Sequence, residues 1–176
     1  MDIQEIIKRC LAGDRKAQYQ LYRDHVQILY HTVIRMTGNK SDADDLVQNS
    51  FIKIFKSLKN FSGQGSFQGW LKRIAINETL DMIRKKQKMK IVPMEHIPED
   101  GSTEDALELV SVNSETIHQA IKNLPHGCRL VFSLYLLEGY SHKEVAGMLN
   151  ISESTSKTQY KRAKSILKSS LTTVQL

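Results

Sequence analysis

Trp70, Arg73, Asn77 and Arg84 are spaced by three, four and seven residues, so on a helix they fall along one strip. An indole stacks on unpaired bases, a carboxamide bonds their edges and a guanidinium grips phosphate. That mixture suits single-stranded nucleic acid. The same spacing also describes an ordinary surface helix with Trp70 in the core and its arginines in water.

A second set lies near the end of the chain. Projected on a helix, Ser154, Thr158, Lys161, Arg162 and Ser165 share one side, with Thr155 and Lys157 at its edges. Small hydroxyls let a helix approach a duplex closely. Lys and Arg supply attraction to phosphates, and Arg162 has the fork that reads guanine. Tyr160, Ala163 and Leu167 form the opposite, core-facing side, joined by Ser156, where an apolar residue is expected. A solvated polar face gives the same pattern. A third set, Asp45, Gln48, Asn49 and Ile52, makes a polar helix face with one apolar residue in it. Such a face suits docking on another protein's helices, or is simply solvated.

The elements that must position these sets are helical. Apolar residues recur at three and four, and strand signals are nearly absent, so the expected fold is all-α. Helices are expected from Asp2 to about Ala12 and from Asp14 to about Met36. A third, capped by Ser41, covers SDADDLVQNSFIKIFKSL, with Ala43, Val47, Phe51, Ile54 and Leu58 as its core stripe. A Gly-rich loop, NFSGQGS, precedes a fourth helix that starts at Ser66 and ends on a basic tail. Gly63, Gly65 and Gly69 miss the dinucleotide-loop spacing and follow no strand, which rejects a nucleotide-binding loop.

Further helices are expected from Ser114 to Leu124-Pro125 and from His126 to Glu138. Ser141 and Glu144 form a capping box for a short helix. Asn150 suits a left-handed corner, Ile151 plugs it and Ser152 caps the last helix. Helix, tight turn, helix is the geometry of a helix-turn-helix.

Charge divides the chain. Residues 1–90 carry a net +8, residues 91–115 a net −7 and residues 116–176 a net +5, within a total of +6. Two basic blocks flank an acidic connector that holds two of the three prolines, with a short helix possible near Glu104–Val110. The expected organisation is therefore two helical domains, 1–90 and 114–176, joined by an acidic linker at 91–113. Basic blocks point to a polyanionic partner.

Several classes are excluded or disfavoured. No apolar run reaches the roughly 18 residues of a membrane span, and the start lacks a signal-peptide core, so a soluble cytoplasmic protein without membrane insertion is expected. Cys10 and Cys128 lack metal or redox spacing, and the six histidines have no ligand pattern (His126 and Cys128 come nearest), so no metal and no cofactor are expected. There is no Ser/His/Asp or paired-carboxylate constellation, so the chain is not expected to be an enzyme. A DNA-binding regulator with its own dimerisation or sensing block, and an adaptor for acidic proteins, remain open on these residues alone.

Together the pieces resemble the extracytoplasmic-function group of bacterial RNA polymerase sigma factors. SDADDLVQNSFIKIF resembles the family's D-A-x-D-L-V-Q-x-x-F helix, and FSGQGSFQGWLKRIAINETLDMIRK its F-x-W-L-x-R-I-A-x-N segment. LPHGCRLVFSLYLLEGYSHKEVAGMLNISESTSKTQYKRAKSIL resembles its L-P-x-x-x-R-x-V-F motif and helix-turn-helix. The likeness covers roughly residues 10–88 and 115–170, in family order.

This resemblance implies core RNA polymerase and promoter DNA as partners and a monomer when free. Family members are often held by an anti-sigma factor, though nothing in this chain identifies one. It places Asp45, Gln48, Asn49, Phe51 and Ile52 on core polymerase. Phe61, Ser62, Gly63, Gln64, Trp70, Lys72, Arg73, Asn77 and Arg84 fall in the segment that melts and reads the −10 element. Ser154, Thr155, Lys157, Thr158, Lys161 and Arg162 fall where the −35 element is read. The sequence departs from the family's pattern at Asn49, usually acidic, at Ser154 and Ser156, usually Gly and Val, and at Gln159-Tyr160, usually Arg-Leu.

Overall fold

A computed structural model of the chain describes residues 2–88 and 114–172. The chain divides into two compact units, residues 1–90 and 91–176. Among the described residues there is no strand, and no helix is long and apolar enough to cross a membrane. The acidic connector expected at 91–113, with its short helix near Glu104–Val110, lies outside the described residues.

The first unit holds α1 (Ile3–Leu11), α2 (Arg15–Thr37), α3 (Lys40–Ser57), a 3-10 turn (Leu58–Asn60) and α4 (Phe67–Lys88). Asp14 does two jobs between α1 and α2. One oxygen caps α2 by accepting the N–H groups of Lys16 (2.8 Å) and Ala17 (3.2 Å). The other accepts from the Arg9 guanidinium at 2.7 Å, and these bonds hold the Asp14 carboxyl below its ordinary pKa, Arg9 contributing most.

Gly38 (φ 66°) ends α2 in the left-handed conformation, its N–H on the Ile34 carbonyl. That turn leaves Asn39 extended, and its side chain accepts the Asp42 N–H at 3.1 Å. Asn39, not Ser41, is therefore the cap, and α3 begins earlier than expected. Leu21, Leu29 and Val33 of α2, Ala43, Val47 and Ile54 of α3, Leu58, and Leu71 and Ala75 of α4 make one core. Each fully buried aliphatic side chain contributes about 1.5–3 kcal/mol by leaving water, so α2, α3 and α4 are held face to face.

The second unit holds α5 (Ser114–Lys122), α6 (His126–Phe132), α7 (His142–Leu149) and α8 (Glu153–Thr172). The single helix expected over His126–Glu138 is interrupted: Ser133–Leu137 forms a π-helical turn. There the Glu138 N–H reaches the Ser133 carbonyl, five residues back, at 3.0 Å. Periodicity reveals no such insertion, because nearly every residue from Leu130 to Leu137 is apolar and hides the shift of one residue in helical phase. Ile121, Leu124, Cys128, Phe132, Ala163 and Leu167 form the core.

The expected helix-turn-helix is present. Ser141 and Glu144 make both halves of the capping box of α7. Asn150 ends α7 at φ 55°, ψ 47° with its N–H on the Ala146 carbonyl, and Ser152 accepts the Thr155 N–H at 3.0 Å to start α8. A β-branched side chain at Asn150 clashes with its own backbone in that conformation. Asn150→Val is expected to destabilise the chain by about 1–2 kcal/mol, and Asn150→Gly to hold it within about 0.5 kcal/mol. Thermal melting of the full chain checks both; an unchanged midpoint for the valine variant would remove the left-handed corner from the account.

Candidate nucleic-acid interface

On α3 the polar face is open. Asp45, Gln48 and Asn49 are exposed, and Ile52, 52% exposed, is the apolar residue among them. Phe51, grouped with them by resemblance, does not share this surface. It is 4% exposed, and its ring lies 4.7 Å from that of Tyr22 on α2. It belongs to the inward stripe with Val47 and Ile54, and it sets the face from behind. An ion pair between Lys53 and Glu78 and another between Lys86 and Asp42 (2.7 Å) join α3 to α4.

The Gly-rich loop has an apolar root and a polar tip. Phe61 is half-buried, its ring 5.0 Å from Phe67 and 5.6 Å from Trp70. Trp70 stacks on Phe67 at 5.8 Å with planes 20° apart, and the His25 ring meets Phe67 edge-on at 5.5 Å. Trp70 is thus only partly available, with part of its ring committed to the core. Between Phe61 and Phe67, Ser62, Gly63 and Gln64 are exposed. Gly63 adopts φ 75°, and a Cβ there would lie 3.1 Å from the Gln4 side chain of α1. The loop therefore rests against α1 at a position where glycine alone fits easily.

Beyond the loop, α4 presents Arg73, Asn77 and Arg84 outward. Arg84 is paired at 2.8 Å with Asp81, also exposed, while Lys72 is half-buried. Leu71, Ala75 and Ile76 line the opposite side, all at or near zero exposure. The strip read from the sequence is therefore one surface, with Trp70 at its buried margin.

In the second unit the inward side of α8 is the one its projection gives. Ser156, Ala163 and Leu167 are buried and Tyr160 is half-buried. Ser154 and Arg162 are exposed as expected, but Thr158 and Lys161, expected within the outward set, are only half-buried, as is Thr155, while Lys157, expected at an edge, is exposed. Lys157 pairs with Glu153 at 2.9 Å one turn back, which raises the Lys157 pKa and lowers that of Glu153. Lys164 lies over the Tyr160 ring, 5.1 Å from its centroid.

Three supporting contacts escape sequence reading. Arg129 donates to the Lys122 carbonyl at 2.8 Å, closing the open end of α5. The Cys128 thiol donates to Gln159 Oε1 at 2.9 Å, tying α6 to α8, and burial raises the thiol's pKa. The Ser156 hydroxyl meets His142 Nδ1 at 2.9 Å, rather than a backbone carbonyl of its own helix. The inward position of Ser156 signals that its hydroxyl needs a partner; the partner is hidden because it lies on another helix.

Comparison with known proteins agrees with this division. The Sigma-70 region 2 family model matches residues 21–89, and the Sigma-70, region 4 model matches residues 114–167. The ECF RNA polymerase sigma factor SigW of Bacillus subtilis is 32% identical over 183 residues, covering 97% of each chain. SigE of Mycolicibacterium smegmatis, also an ECF RNA polymerase sigma factor, is 32% identical over 159 residues, 85% of this chain and 59% of that protein. The chain thus spans under two thirds of SigE but nearly all of SigW. Among solved structures, the sigma factor RpoE of Bartonella quintana, in complex with the anti-sigma factor NepR, is similar in fold. It has a TM-score of 0.55 at 22% identity, over 88% of this chain and 96% of that one.

Three imidazoles in these units sit below their ordinary pKa. Burial is the main cause at His25, His126 and His142, with Arg129 adding to it at His126 and Lys157 at His142. Asp24 opposes the shift at His25 and Glu153 opposes it at His142. As pH falls below the unfolded value of about 6.5, the unfolded chain takes up protons first. Stability from these sites is thus full above that pH and declines below it. The melting temperature of the full chain is expected to drop between about pH 7.5 and about pH 5.5, with a shallower drop for His25→Gln. Equal slopes for the two proteins would remove His25 from the effect.

Proposed function

The chain belongs to the ECF RNA polymerase sigma factors, and from that premise we propose that its two units divide promoter recognition between them. The chain binds core RNA polymerase and directs promoter recognition, melting and initiation. Bond formation belongs to the polymerase. Its place of work is the cytoplasm, and it is a monomer when free of polymerase. An anti-sigma factor is a further class of partner.

The first unit docks on polymerase through Asp45, Gln48, Asn49 and Ile52, with Phe51 holding that face from the core. The adjoining loop and the outer strip of α4 take the melted −10 strand. Ser62, Gly63 and Gln64 form the tip, and Arg73, Asn77 and Arg84 follow the strand. Phe61, Trp70 and Lys72 lie at the margin that a separated base reaches. The second unit lays α8 in the major groove of the −35 element, where Ser154, Thr155, Lys157, Thr158, Lys161 and Arg162 meet phosphates and base edges. The observation that carries this reading is the pairing, in one chain, of an open docking face on α3 with a nucleic-acid strip on neighbouring α4. A plain operator-binding protein needs only the helix-turn-helix.

The deciding experiment selects promoter fragments transcribed by core polymerase with and without the purified chain. Enrichment of two spaced elements is expected. Tight binding to duplex DNA with no binding to core polymerase would replace this reading with a self-contained regulator. Within it, Asp45→Ala with Gln48→Ala is expected to weaken core binding by about tenfold, roughly 1.4 kcal/mol. The melting temperature should not change, because both side chains are exposed; unchanged core affinity would refute the docking face. Arg162→Ala is expected to cost about 1–3 kcal/mol at one base position if it reads guanine. Equal losses on every −35 sequence would assign it to a phosphate.

A further inference from the structure

Five described polar residues are buried, Thr32, Ser50, Thr79, Ser133 and Ser156, and two of them bond a carbonyl of their own helix. Ser50 donates to the Leu46 carbonyl at 2.6 Å and Thr79 to the Ala75 carbonyl at 2.8 Å, each four residues back in its own helix. Ser156 has zero exposure and does otherwise. Its hydroxyl crosses to α7, where it meets His142 Nδ1 at 2.9 Å. A neutral imidazole protonated at Nε2 accepts the Ser156 O–H there.

The histidine is held from several directions. Its backbone follows Ser141 in the capping box, which fixes the first turn of α7. Its ring stacks on Tyr135 of the π-helical turn with centroids 3.9 Å apart and planes 11° apart. Tyr160 of α8 meets it edge-on at 5.7 Å and lies 4.7 Å from Tyr135. Three segments thus converge on one ring whose Nδ1 meets Ser156 in the first turn of α8.

We propose that His142 and Ser156 are a positioning pair that sets the orientation of α8 on α7, and with it the register of α8 on the −35 element. The inference rests on the reading of α8 given above and names what aims it. Arg162 lies six residues beyond Ser156, about 9 Å along the helix. A tilt of roughly 10° about Ser156 would move the backbone at Arg162 by about 1.5 Å. That exceeds the few tenths of an ångström over which a hydrogen bond keeps its geometry. An apolar contact between α7 and α8 tolerates such a tilt; a directional bond between two fixed groups resists it.

The test is transcription by the full chain with core polymerase from two promoters that differ only in the −35 element, cognate or scrambled. Unfolding of the second unit would lower the ratio as well, so each variant is first shown by thermal melting to stay folded in that unit at the assay temperature, and the ratio then reports aim. Ser156→Ala removes the hydroxyl, and His142→Phe keeps a ring on Tyr135 while removing the nitrogen. Each is expected to lower the ratio by about fivefold or more, and the double variant no further than the worse single. His142→Asn, whose amide reaches about the place of Nδ1, is expected to keep the ratio within about twofold of the unaltered chain.

Ratios unchanged in both single variants, losses that multiply in the double variant, or no rescue by asparagine would each overturn the pair. Should His142→Phe fail to fold, Ser156→Ala and His142→Asn decide alone: loss in the first and retention in the second support the pair, and any other result refutes it. An unaltered holoenzyme that ignores the −35 element would refute the reading of α8 and the pair with it. Discrimination in the unaltered chain that survives every substitution would refute the pair only.

Discussion

Each long helix has to bury one face completely while leaving the opposite face in water, and the placement of every candidate residue depends on that division. On α4, Leu71 and Ala75 are wholly buried, while Arg73 and Asn77 are exposed two positions away. On α8, Ala163 is wholly buried and its neighbour Arg162 is exposed. Neither unit exceeds 90 residues, so each has one small core and little reserve. Truncating a buried leucine costs about 2–5 kcal/mol, a large share of the 5–15 kcal/mol that holds a typical domain together. The outer side chains therefore inherit their geometry from the inner ones. Exposed ion pairs such as Lys86–Asp42 contribute up to about 1 kcal/mol and cannot replace that packing.

The Gly-rich loop applies the same division over a shorter distance. Phe61 and Phe67 bracket it, and both pack on Trp70. The ends of the loop are thus anchored in the core of the first unit. Between them Ser62, Gly63 and Gln64 stand in water, with Gly63 against Gln4 of α1. The result is a polar tip on a rigid base, which lowers the entropy lost when a ligand orders it. Trp70 belongs to both parts. Its ring completes the aromatic root, and its remaining exposure faces the strip of Arg73 and Asn77.

Much of this was legible in the sequence, because helix periodicity and capping are local. Ser141 with Glu144, Asn150 and Ser152 mark the helix-turn-helix within a dozen residues, and the structure places each in the expected role. The inward set on α8 follows from its projection alone. What was not legible depended on contacts distant in sequence or on competition between neighbours. Asn39 displaced Ser41 as a cap because the left-handed turn at Gly38 set the chain direction first. The π-helical turn at Ser133–Leu137 leaves no mark in the apolar pattern. Phe51 matched a docking motif and a core stripe at once, and only burial separates the two. The motif assigns Phe51 to the docking face and its periodicity places it inward; the structure agrees with the periodicity.

Ser156 shows why such a polar residue is costly to place in a core. A hydrogen bond inside a protein adds about 0.5–1.5 kcal/mol net, while an unpaired buried hydroxyl costs about 1–3 kcal/mol. An aliphatic residue at that position would bury itself without any such risk. A single dispersion contact has no preferred direction, whereas a hydrogen bond weakens steeply with angle. The serine therefore exchanges a secure contact for a directional one, and the exchange works only because His142 is already fixed. Tyr135 fixes the ring and Ser141 fixes the backbone beneath it. Tyr160 then connects this cluster to the side of α8 that Lys164 covers. A helix that must present its outer face in one register has its aim set on its inner face, where the serine end of the bond is shielded from water.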